Sequence, residues 1–251
     1  MLLSIKNLFD YKIEAKDGAI GKVHDFFIDD RSWNIRYVVI DTHSWLPGRR
    51  VLIAPEAVEH PHFQGRFVPV NLTREQIEKS PDVDMDKPVS REYEQQLHQY
   101  YRWTPYWYGG FGMTSAGPNA PPPPMGPVEQ HAGPETEVAV MTHLRSVREI
   151  IGYHLHAANG EIGHVDDFVL EEENWRLRYF VVDTRNWLPG KKVLLSTEWI
   201  QDVDWSQSEV RVEVDKREVQ DAPEFNPSNA VNREYEVRLY DYYGRPKYWL
   251  E

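Results

Sequence analysis

The sequence predicts a mainly β protein: two small β-barrels related by internal duplication, each followed by a C-terminal amphipathic helix. Three observations predict it. The chain repeats itself under a shift of 142 positions. Each copy consists of short apolar, β-branched runs separated by Gly, Pro, Asn and Asp turn signals. Each copy then ends in a stretch whose apolar residues recur at helical spacing.

The repeat is the strongest of these. IGKVHDFFIDDRSWNIRYVVIDTHSWLPGRRVLI, from Ile20, falls on IGHVDDFVLEEENWRLRYFVVDTRNWLPGKKVLL, from Ile162, and no gap is needed from Ser4/Ser146 to Trp107/Trp249. Three segments follow: a first unit over 1–108, a Gly/Pro-rich linker over 109–137 and a second unit over 138–251. The linker contains four consecutive prolines and no apolar periodicity, a composition suited to an extended spacer.

Within the first unit, Tyr11 to Ala15 reads as a short strand. Asp17-Gly18, like Asn159-Gly160 in the second copy, is a hairpin-turn dipeptide. Strands are expected over about 19–29, 34–42, 50–54 and 66–70. IRYVVID is apolar on both faces and suits a central, doubly covered strand. Thr73 with Gln76, and Asp215 with Glu218, form capping boxes for a short helix. Ser90 and Asn232 are N-caps for the amphipathic helix, with Tyr93, Leu97, Tyr100 and Tyr101 on one face. So few strands bury a core best by closing into a barrel, which also removes exposed edges.

Composition narrows the function classes. The 251 residues carry a net charge of −12, which disfavours non-specific binding to nucleic acid or anionic membranes. There is no cysteine, so disulfides, thiolate zinc sites and thiol catalysis are excluded. The opening residues lack the apolar core of a signal peptide, and no run approaches the ~18 apolar residues of a membrane span, so a cytoplasmic chain is expected.

The recurring polar residues are Asp25/Asp167, Arg36/Arg178 and Asp41/Asp183. With a hairpin centred near residues 30 and 31, Asp25 faces Arg36 and Asp167 faces Arg178. These are expected to be structural ion pairs that fix register. The other reading, a general acid or base, lacks a recurring Ser, Lys or His beside it. None of the ten histidines recurs as histidine, and no duplicated metal site is expected; no cofactor is implied. Trp33/Trp175, Trp45/Trp187 and Trp107/Trp249 do recur. With Leu46 and Leu188 they are the candidate partner surface; packing inside or between the units is the competing reading.

DGAIGKVHDFFIDDRSWNIRYVVIDT and NGEIGHVDDFVLEEENWRLRYFVVDT, with the W-L-P-G-[RK]-[RK]-V-L turn, resemble the PRC-barrel domain. The REYE helix and YW tail are similar to tandem bacterial members described as reaction-centre H-subunit-like. The superfamily also includes the barrel of a ribosome maturation factor. The resemblance implies a barrel of about six strands serving as an adaptor, with no catalytic residues to carry over. The expectation is a non-catalytic scaffold that binds a protein partner or self-associates, as a homodimer or by pseudo-twofold pairing of its own units. The alternatives are a small-ligand or metal-binding sensor and, third, a carboxylate-based hydrolase.

Overall fold

In the computed structural model, residues 1–43, 45–84, 87–108, 143–184 and 190–250 are described. The expected linker, 109–137, lies outside them, as do Trp187 and Leu188. The first unit contains β1 (Leu2–Ser4), β2 (Lys12–Ala15), β3 (Gly18–Asp29), β4 (Ile35–Asp41), β5 (Arg50–Ile53) and β6 (Phe67–Pro69), then α1 (Arg74–Glu78) and α2 (Arg91–Tyr101). The second contains β7 (Leu144–Ser146), α3 (Val147–Ile150), β8 (His154–Ala157), β9 (Gly160–Glu171), β10 (Arg176–Asp183), β11 (Lys192–Ser196), β12 (Ile200–Asp204) and β13 (Glu209–Val212), then α4 (Lys216–Asp221) and α5 (Arg233–Tyr243). The protein is mainly β with a few short helices, in two sheets. No helix among the described residues is long and apolar enough to cross a membrane.

The sheets follow one plan. The first runs β5-β4-β3-β2-β6, the second β11-β10-β9-β8-β13-β12. The last strand pairs parallel to the first hairpin strand in each, Ile13 opposite Val68 and Leu155 opposite Val210. The two ends of the second sheet, β11 and β12, are consecutive in sequence and joined by a single 3-10 turn at Thr197–Trp199. These two edge strands are thus connected by the covalent chain, with no strand pairing between them among the described residues. In the first unit, Pro55–Ala57 makes the same link to Val58, which bridges to Val70.

The long hairpin strands must bend to wrap this core, and they do so at bulges. Register slips between Val23 and Asp25 and between Phe27 and Ile28 against β4, with the corresponding slips between β9 and β10. Bulges raise twist locally. Gly21 and Gly163 sit at the tightest approach, with φ of +154° and +134°. A Cβ there would stand 2.0 and 2.1 Å from the carbonyl oxygens of Asp41 and Asp183. This is why the motif needs glycine at that place.

The helix caps hold as the residues suggest. Thr73 and Asp215 form capping boxes, and Ser90 and Asn232 accept the backbone N–H of Tyr93 and Tyr235. The hairpin-turn residues have a second task. Asp17 Oδ1 accepts the Arg74 N–H at 2.7 Å, and Asn159 Oδ1 accepts the Lys216 N–H at 2.8 Å. Each turn thereby satisfies an orphan donor at the start of the short helix.

The units are interleaved. β1 pairs with β9 of the second unit, Leu3 opposite Leu170, while β7 pairs with β3 of the first, Arg145 opposite Ile28. Under the 142-residue shift these are one pairing made reciprocally. Each unit therefore lends its first strand to the other's sheet, and one buried core cluster contains residues of both.

Candidate interaction surface and the polar clusters beneath it

Asp25 and Asp167 hold the lent strands in place. Ser4 Oγ donates to Asp167 Oδ2 at 2.5 Å, and the Lys6 backbone N–H donates to Oδ1 at 3.0 Å. Asp25 receives the Ser146 hydroxyl and the Arg148 N–H at 3.1 Å in the same way. The expected Asp25–Arg36 and Asp167–Arg178 ion pairs are not formed. The bulges place Asp25 opposite Val39 and leave Arg36 unopposed between Ile35 and Tyr37. Arg36 instead meets Asp29 at 3.2 Å, and Arg178 meets Glu171 at 2.6 Å and Glu198 at 3.3 Å.

Burial pushes the Asp25 and Asp167 carboxyls up from the usual aspartate value, against the pull of their hydrogen bonds. A raised folded pKa means that the folded state holds the proton more tightly. The stability these groups contribute by protonation is full below about 3.8 and is lost as pH rises through their folded values. The Asp25→Asn/Asp167→Asn double variant should remove that dependence. Its denaturation midpoint relative to wild type should be higher at pH 7 than at pH 4. A difference that does not change with pH would refute the assignment.

The sequence-predicted aromatic surface separates into buried and half-buried parts. Trp33 is not a partner surface: it is only 5% exposed. Its φ of +58° turns the indole across the seam, where it lies 5.1 Å from Phe180 and 6.2 Å from Phe168 of the second unit. Its backbone is tied there too, because the Leu177 N–H donates to Trp33 O and the Ile35 N–H to Trp175 O. Trp175 is half-buried at the same seam. Trp45 and Leu46 are half-buried in the SWLPG turn, with the Arg74 guanidinium 4.6 Å over the Trp45 ring. Thr42 Oγ1 closes this turn by donating to Arg49 O at 2.7 Å.

The tail tryptophans are set on a paired polar cluster. Glu94 and Glu236, on the inward faces of α2 and α5, are fully buried. Glu94 Oε1 accepts the hydroxyls of Tyr37 at 3.0 Å and Tyr106 at 2.7 Å, and Arg91 is 2.9 Å from Oε2. Glu236 Oε1 accepts Tyr179 at 2.6 Å and Tyr248 at 2.8 Å, and Arg233 is 3.0 Å away. Arg36 and Arg178 stack on the Tyr106 and Tyr248 rings at 4.0 and 3.9 Å. Arg91 and Arg233 lie over Trp107 and Trp249 at 4.4 and 4.2 Å. Tail, helix and central strand are thus fastened together, with Trp107 and Trp249 half-buried in equivalent places. Desolvation raises the Glu94 carboxyl, while Tyr106, Arg91 and Tyr37 pull it back.

The sequence reading missed Glu94, Glu236, Tyr37 and Tyr179. The available signal was their identity in both copies. The cluster also departs from symmetry. His98 stands where the second unit has Tyr240, and Trp103 stands where it has Arg245. The bulk that Trp199 supplies against Tyr240 and Tyr243 comes in the first unit from Trp103, stacked on Tyr101 at 4.2 Å. Ala57 occupies the Trp199 position there.

Among the described residues no group of three or more His, Asp and Glu side chains could hold a metal ion. Residues 143–219 match the family model of the PRC-barrel domain. The comparison with curated proteins gives no match.

Proposed function

Starting from a PRC-barrel domain in the second unit, we propose that the first unit is a second copy of that domain and that the protein is a non-catalytic adaptor for a protein partner. The carrying observation is the pair of half-buried tail tryptophans, Trp107 and Trp249, each held under an arginine by an equivalent buried cluster. Large aromatics on rigid supports suit binding hot spots, because little side-chain freedom is lost on contact. Asp25 and Asp167 are engaged with the lent strands and Glu94 and Glu236 with tyrosine hydroxyls, which supports an architectural use of these recurring carboxylates over acid–base chemistry. Two equivalent contact points on one body favour a partner with repeated or symmetric sites.

Cross-linking in cells, followed by mass spectrometry, would name the partner, and calorimetry with the purified pair would measure its affinity. Trp107→Ala and Trp249→Ala should each weaken binding, and the double variant should weaken it by more than about tenfold while circular dichroism still reports the native fold. Affinity unchanged in the double variant would sink this reading.

A further inference from the structure

The duplication allows one polar cluster to be compared with its own copy. On the second sheet Asp166 is a bridging carboxylate: Lys6 Nζ lies 3.0 Å from its Oδ1 and Lys192 Nζ 2.6 Å from its Oδ2. The shift of 142 places Arg148 on Lys6, Arg50 on Lys192 and His24 on Asp166. The first sheet therefore keeps both cations and has lost the carboxylate that joins them. Arg148 Nε donates to the His24 carbonyl oxygen and its guanidinium lies 4.1 Å over the Phe9 ring, while its terminal nitrogens meet no acceptor among the described residues. The Arg50 side chain makes no hydrogen bond or ion pair among the described residues.

The acids nearby are used elsewhere. Asp25 accepts the Ser146 hydroxyl and the N–H groups of Phe26 and Arg148. Asp41, the cross-strand neighbour of Arg50, accepts the His43 N–H at 2.9 Å, and Glu149 accepts the Tyr153 hydroxyl at 3.0 Å. A cavity of about 380 Å³ opens beside the group, with His24, Arg50, Lys87, Arg145, Asp25 and Glu149 in its lining. Lys87 is 2.8 Å from Asp84 and Arg145 is 3.3 Å from Asp30, so Arg50 is the cation of this lining that lacks a counter-ion. At the positions of Arg145, Lys87 and Glu149 the second copy has the neutral Leu3, Asn229 and Asn7. The His24 ring lies in the same field: burial lowers its pKa first, Arg50 and Arg148 lower it further, and Asp25 and Asp41 oppose them.

We propose that Arg50 and Arg148 bind a carboxylate group from another molecule, in the way that Lys6 and Lys192 hold Asp166. Guanidinium groups suit this task, because their paired N–H donors match the two oxygens of a carboxylate. An acidic side chain of a polypeptide and a free organic acid present the same chemistry. The site shares no residue with the clusters under Trp107 and Trp249, and the adaptor reading can fail without it.

The test is titration of the full chain at pH 7 with sodium acetate in exchange for sodium chloride, at constant ionic strength. The readout is the Arg148 Nε–H signal, assigned with Arg148→Lys. A saturable shift with a dissociation constant on the order of 10 mM is expected. Arg50→Gln should weaken it at least about fivefold, and His24→Asp should abolish it by supplying the carboxylate from within, as the second copy does. Saturating acetate should also raise the titration midpoint of His24 by about 0.5 pH unit, because the bound anion offsets the field of the two arginines. The exposed His43 is the control and should not move. A blocked Gly-Glu-Gly peptide that binds more tightly than acetate assigns the carboxylate to a polypeptide; weaker binding assigns it to a small acid. No saturable shift, a shift that survives either variant, or a His24 midpoint that moves no more than that of His43 would overturn the proposal.

Discussion

A chain cut at a protease site introduced within residues 109–137 should give two fragments that co-elute as one particle and part only on denaturation. The lent strands dictate this. Leu3 and Ile5 are buried, and the Ile5 N–H donates to Phe168 O of the second unit. Val147 and Ile150 are buried in the reverse exchange, and Trp33 fills a space between Phe168 and Phe180. These five side chains, at about 1.5–3 kcal/mol each, act together with the backbone pairing of β1 with β9 and of β7 with β3, so the fragments are expected to stay associated through size-exclusion chromatography. Light scattering on the cut protein reads this directly. Two separately eluting fragments, each with native circular dichroism, would show that the interleaving is not what holds the molecule together.

Gly163→Ala should be the most damaging single methyl in the second unit, and Gly21→Ala its equal in the first. The added carbon has nowhere to go: it meets backbone, Asp183 O at 2.1 Å or Asp41 O at 2.0 Å, and the positive φ adds strain of its own. A loss of about 3–4 kcal/mol is expected, roughly 10 °C in melting temperature. Gly48→Ala and Gly190→Ala are the controls, since a Cβ at either meets nothing within 4 Å. All four have φ in the left-handed half of the map, so the controls share the backbone strain and lack the collision. Equal losses at all four positions would remove the close approach as the explanation.

The strands, caps and turns were readable because their causes are local. β-branched runs, Asp-Gly and Asn-Gly turns and Ser, Thr or Asn caps act within a few residues, and the observed bounds lie close to the expected ones. The exchange was not readable in this way. Leu2–Ser4 and Leu144–Ser146 are three-residue strands with no alternation of their own, and their partners are more than a hundred residues away. Asp25 was misassigned because equal distance from a turn predicts facing residues only in an unbulged hairpin. Glu94 was passed over because a charged side chain on an amphipathic helix usually faces water. Its burial depends on Tyr37 and Tyr106, which the fold brings from a strand and a tail. The half-buried tail residues followed from their recurrence, whereas Trp33 recurs equally and is in the core. Repetition marks constraint and does not say on which side of the surface it acts.

The reciprocal lending of β1 and β7 also sets an order of events during synthesis. When residue 108 has been made, β3 still lacks its neighbour, because Leu144–Ser146 comes 36 residues later. At ordinary elongation speed that interval is roughly 2–7 s. For that time the nascent first unit presents a bare edge at Phe27–Asp29 and an Asp25 carboxylate without its Ser146 and Arg148 donors. β1 likewise waits for β9. The chain carries its own stopgap problem on the ribosome, and a chaperone that covers sheet edges would act in that window.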